Sequence, residues 1–180
     1  MLRAATALAL VLLLVPRARA TIVEAYDLAR LKESAARVAL VRAGTPTVRQ
    51  DARGRRITDV PLEVEEAIVG APDAFVLTVF GGQQDGVGMV TAGEPVLREG
   101  RRYVVFARAW QDDGVERFRP VGMSQGVLEI RGAGGRATVL PGGAGLTLVP
   151  SPDDPLRAAE PALRAAEDLD GFLVRLRALP

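Results

Sequence analysis

Between residues 38 and 149 the apolar residues come in short runs broken by glycine, proline or charge, and this limits the fold more than any other feature of the chain. Val38-Ala39-Leu40-Val41, Phe75 to Phe80, Tyr103-Val104-Val105-Phe106-Ala107, Arg117 to Val121 and Val127-Leu128-Glu129-Ile130 have the length of strands. Ile57 to Val69 adds a period of two. Val60, Leu62 and Val64 alternate with Pro61, Glu63 and Glu65, which predicts one dry and one wet face. Pro61 has no N–H for a ladder, so it belongs at an edge or a bulge. Val139-Leu140 and Leu146 to Val149, joined by Pro141-Gly142-Gly143-Ala144-Gly145, read as a final hairpin. Short strands with frequent turns favour a closed barrel or a sandwich over a parallel α/β sheet.

Two helices flank this region. Residues 24–36 put Leu28, Leu31 and Ala35 on one face, with Asp27 as its cap or in its first turn. Beyond a proline-containing linker at 151–160, Leu163, Ala166, Leu169, Phe172, Leu173 and Leu176 form a helical stripe over 161–178. That stripe is expected to pack on the barrel, plugging its open end.

The first twenty residues read as an address. Met1-Leu2-Arg3 is a positive start, Ala4 to Val15 is twelve uncharged residues, and Ala18 and Ala20 stand where a signal peptidase reads, with Thr21 beginning the mature chain. The uncharged run spans only about 18 Å as a helix, against about 30 Å of hydrocarbon, so no stable membrane insertion is expected after cleavage. Arg3, Arg17 and Arg19 leave with the leader, which takes the net charge from +1 to −2. Such a chain has no long-range field for nucleic acid. The expected location is the periplasm or the exterior.

The chain has no cysteine and no histidine, which removes disulfides, the usual zinc sites and every Ser-His or Cys-His arrangement. No catalytic, cofactor-binding or metal-binding residues are legible. The stretch Gly81 to Met89 lacks both the G-K-[ST] and the G-x-G-x-x-G that a phosphate cradle needs, and reads as a rim loop or bulge. Arg49, Arg53, Arg55 and Arg56 read as a solvated hairpin tip. Glu63 and Glu65 share a wet strand face, and Asp112-Asp113-Gly114 is a turn without calcium-loop spacing. Trp110 reads as packing over an open barrel end or, if exposed, as a binding anchor. The expected interaction surface comprises Gln83, Gln84, Asp85, Met89 and Trp110.

Several pieces together carry a resemblance: Leu28-Ala29-Arg30-Leu31 with Ser34, Arg37 to Arg42, Ile57 to Glu66 ending at Gly70, Gly81-Gly82, Gly86, Gly88, Gly93-Glu94-Pro95, Gly100, Arg102 to Phe106, and Val121 to Gly126. In their order the chain resembles a group of exported bacterial proteins with a netrin-like OB barrel, a module that is also the fold of the tissue inhibitors of metalloproteinases. The similarity covers most of residues 22–131. It implies a mainly β fold: a closed or partly open OB-like (netrin-like) barrel over 21–131, with a hairpin extension at 132–150 and a helix at each end. Function is then expected to be non-catalytic binding of an unknown protein or small molecule. An alternative, from fold resemblance only, is a modulator or inhibitor of an exported protease. The inhibitors' N-terminal cysteine has no counterpart in Thr21-Ile22-Val23, so their mechanism is not implied.

Overall fold

The computed structural model describes residues 21–70, 73–84, 86–112, 114–150 and 161–180. The expected leader, with Ala18 and Ala20, and the expected linker at 151–160 lie outside the described residues, as does Asp85. The chain is mainly β, a mixed sheet with two helices. Its elements are β1 (Thr21–Glu24), α1 (Leu28–Glu33), β2 (Arg37–Ala43), β3 (Thr47–Gln50), β4 (Arg56–Val69), β5 (Ala74–Phe80), β6 (Gly82–Gln84), β7 (Val87–Met89), β8 (Arg102–Asp112), β9 (Val115–Pro120), β10 (Val127–Arg131), β11 (Thr138–Val139), β12 (Leu146–Val149), β13 (Glu167–Asp168) and α2 (Leu169–Ala178).

β2, β4 and β5 form an antiparallel meander, and β8 lies antiparallel to β2 on its far side. β9 returns antiparallel to β8 and meets β5 in parallel through one register pair, Leu77 with Phe118. β10 continues the sheet beyond β8, followed by β11 and β13.

The apolar runs at 38–41 and 103–107 are continuous because β2 and β8 are covered on both faces. Val41, Val60, Leu62, Leu77, Val105 and Phe118 turn one way and form an inner core. Val38, Leu40, Val104, Phe106 and Leu128 turn the other way and meet Leu28 and Leu31 of α1 and Leu169, Phe172, Leu173 and Leu176 of α2. Each such large apolar side chain stabilises the fold by about 1.5–3 kcal/mol. α2 therefore covers the opposite face of the β2–β8–β10 sheet, where the stripe was expected to plug an open end.

Pro61 lies inside β4, at a gap in the ladder. Its carbonyl accepts from Gly44 N–H at 2.8 Å, so its nitrogen faces the 44–46 connector between β2 and β3, where no ladder donor is needed.

Three further expectations change. The first helix starts at Leu28 rather than at residue 24. Thr21–Glu24 pair in parallel with β12, Ala25 N–H donates to Val149 O, and Tyr26 N–H donates to Gln125 Oε1, so these donors are committed before the helix begins. Asp27 then caps it, its Oδ1 accepting from Arg30 N–H at 2.8 Å. The segment 138–149 is not a hairpin, because β11 joins β10 and β13 while β12 joins β1. Gly143 N–H donates to Ser124 O between them, which carries the chain away from β10. The last helix covers 169–178 and not 161–178. Asp168 caps it through Gly171 N–H at 2.9 Å, Glu167 and Asp168 pair with β11, and Ala166 is exposed.

Candidate functional site

The inner core reaches the surface at Val60, Val79 and Leu97, and a cleft of about 600 Å³ opens there. Pro46 and Val48, before and within β3, make one wall, and Thr58, Val79 and Phe80 form the floor. The β6–β7 hairpin and the irregular segment 90–97 enclose the rest.

The hairpin is tied down at its root. Gly81 N–H donates to Arg56 O at 2.9 Å, Thr58 Oγ1–H donates to Gly81 O at 2.7 Å, and Arg56 donates to Val87 O. Gly82, at φ +132°, lies so close to β3 and β4 that a Cβ would stand 2.4 Å from Thr58 Oγ1 and 2.8 Å from a Val48 methyl. Only glycine permits this approach.

Segment 90–97 is anchored at several points, among them Ser124 N–H donating to Gly93 O at 2.9 Å. Leu97 enters the inner core, Arg98 N–H donates to Tyr103 Oη at 2.9 Å, and Glu94 Oε1 accepts from Arg119 at 2.5 Å. The Glu94 side chain is 4% exposed, and its Oε2 is enclosed with no hydrogen-bond partner among the described residues. Burial pushes the Glu94 carboxyl above its ordinary value, against the opposing attraction of Arg119, and burial likewise lowers Arg119. Arg119 also lies over the Phe80 ring at 3.8 Å, with Arg55 over the same ring at 4.6 Å and Trp110 edge-on to it.

Beside the exposed Gln83, the rim presents three apolar side chains to solvent. Val90 is 95% exposed, Val96 80%, and Met89 37%. A depression of similar size, about 610 Å³, lies beside Gly44, Pro61 and Phe75 on the other side of β4. It is edged by Arg42, Glu63 and Glu99, and its apolar lining residues Leu62, Phe75 and Val76 are buried or half-buried, so it lacks the exposed apolar rim of the cleft.

Of the expected interaction residues, Gln83 and Met89 line the apolar cleft. Gln84 is exposed and lines neither cavity, and Trp110 packs behind Phe80 instead of facing the opening. Pro46, Val48, Thr58 and Val96 were not singled out from sequence, and the Gly93-Glu94-Pro95 turn was the one visible sign of the far wall. The arginine-rich turn is less solvated than expected. Arg49 bridges Asp59 and Asp112, and Asp51 accepts from Arg53 N–H, Arg55 N–H and Arg55 Nε. Burial would raise the Asp51 carboxyl, but these donors outweigh it and hold it below its ordinary value.

Among the described residues no three potential ligands gather around a metal position, and no helix is long and apolar enough to cross a membrane. No protein-family model matches the chain, and neither does any curated protein or solved structure. The geometry of the cleft therefore carries the functional argument.

Proposed function

We propose that this chain is an exported, non-catalytic binding module built on an OB-like barrel, and that its ligand occupies the apolar cleft beneath the β6–β7 hairpin. The strand pairings support the barrel. Followed in order, β8 leads to β2, β4, β5 and β9 and back to β8, with one parallel contact, the connectivity of a five-stranded OB fold. The resemblance of residues 22–131 to exported netrin-like proteins agrees with that reading.

The observation that carries the function is the cleft itself: a volume of about 600 Å³, walls fixed by hydrogen bonds and buried anchors, and an exposed rim of Met89, Val90 and Val96. Pockets of about 300–1,000 Å³ with apolar linings are the usual seats of small ligands. Titration with an uncharged apolar dye such as Nile red tests this. Val96→Asp places a charge on the rim at an exposed position and should weaken dye binding at least tenfold. Val174→Asp, on the exposed side of α2, should leave it unchanged. Absence of dye binding, or equal binding by the parent and Val96→Asp, would remove this reading.

A further inference from the structure

We propose that the ligand is a single-chain anionic amphiphile, a medium- to long-chain carboxylate, with its tail in the apolar cleft and its carboxylate on Arg56. The inference rests on the reading of the cleft as the binding site and adds the chemical class of what fills it.

A second cavity of about 480 Å³ adjoins the first, lined by Gln50, Arg55, Arg56 and Val87. The two share Phe80, Gly88, Met89 and Thr91, so a single strand, β7, divides them. Gly88 is the low point of that divide. It carries no side chain, and a Cβ there would meet nothing nearer than 3.9 Å. A flexible chain can pass over it from the apolar side to the basic side.

The charges around this passage are unequal. Arg55 is committed to Asp51 and stacks on Phe80. Glu94 is committed to Arg119 and is closed off from solvent. Arg56 donates to the Val87 carbonyl and has no carboxylate partner among the described residues. Among the described residues, the Arg56 guanidinium therefore stands beside the apolar cleft without a carboxylate partner. A cationic head group would be repelled there, and an uncharged one would forgo the charge. A carboxylate matches the planar fork of arginine with two parallel hydrogen bonds. The cleft is walled by Pro46 and Val48, by the hairpin and by segment 90–97, and its volume suits one extended chain. This favours a monomeric ligand over the surface of a bilayer.

Calorimetry of the purified protein with dodecanoate, dodecanol and dodecyltrimethylammonium, all below their aggregation limits, separates head from tail. Dodecanoate should bind at least tenfold more tightly than dodecanol, and the ammonium compound most weakly. Tetradecanoate should bind about fifteenfold more tightly than dodecanoate, since each buried methylene is worth roughly fourfold in affinity. Arg56→Gln should lower dodecanoate affinity at least tenfold more than dodecanol affinity, a difference that loosening the hairpin through loss of the bond to Val87 O would not produce, and Arg56→Lys should retain most of the preference for the acid. Equal affinity for acid and alcohol, or an acid preference that survives in Arg56→Gln, would overturn the assignment while leaving the cleft as a binding site. Binding to phosphatidylglycerol vesicles with none to monomeric dodecanoate would overturn it in favour of a membrane surface. Binding of none of the three amphiphiles would remove the underlying reading as well.

Discussion

Gly82 and Thr58 sit closer together than any side chain on residue 82 would allow, with only 2.4 Å between a hypothetical Cβ and Thr58 Oγ1. This approach holds the β6–β7 hairpin against β3 and β4 and so sets the width of the cleft. Gly82→Ala adds both a clash and a strained φ, and should destabilise the protein by about 2 kcal/mol. Nile red affinity should fall with it. Urea denaturation and dye titration of the variant check both effects. Unchanged stability would mean that the hairpin does not rest on Thr58.

Glu94 and Arg119 form a nearly buried ion pair behind the cleft. Losing either partner leaves the other charge buried, so Glu94→Leu and Arg119→Met should each cost about 3 kcal/mol. Together they should come within about 1 kcal/mol of the parent, because both desolvated charges are then gone. A double-mutant cycle by denaturant unfolding measures this. The pH dependence supplies a second check. A carboxyl raised in the folded state binds its proton more tightly than in the unfolded chain. Its stabilising contribution is complete below the ordinary carboxyl value and declines as pH rises through the raised one. Glu94→Gln does not titrate, so its deficit against the parent should narrow between pH 4 and pH 7. A deficit that widens over that range would show the carboxyl to be lowered, not raised.

The strands that were legible in the sequence owe this to two-sided burial or to strict alternation. Val38–Val41 and Tyr103–Ala107 are continuous apolar runs because inner and outer cores grip opposite faces, while Val60 and Leu62 of β4 alternate because the face carrying Pro61 and Glu63 stays wetter. β3 was not legible. Its four residues, Thr-Val-Arg-Gln, carry no pattern, and it exists because it lies on β4. The parallel pairing of β1 with β12 joins residues more than 120 positions apart, which no local signal marks. Half of the cleft was legible for the same reason. The glycine cluster, read as a rim loop or bulge, marked the place of the hairpin wall, whereas Glu94 is held by distant Arg119 and Arg98 N–H by Tyr103.

α2 stabilises the molecule by covering the outer face of the sheet. Leu176 is fully buried against it, so Leu176→Ala should cost about 3 kcal/mol. Because the cleft belongs to the inner core, dye affinity at a temperature where the variant remains folded should be unchanged. A variant as stable as the parent in thermal unfolding would show that the helix does not rest on the sheet.

The proposed export predicts cleavage before Thr21. The protein recovered from outside the cytoplasm should then begin at Thr21, as read by N-terminal peptide mass. A mass that includes Met1 would contradict the cleavage.

The cleft as a ligand site is tested most directly by methyl-resolved NMR during titration with dodecanol. The expected result is a set of saturable shifts at Val48, Val60, Val79, Met89, Val90, Val96 and Leu97, with Leu169, Leu173 and Leu176 unmoved. Shifts centred on α2 or on the depression beside Leu62 and Val76, or no saturable shifts at all, would contradict it.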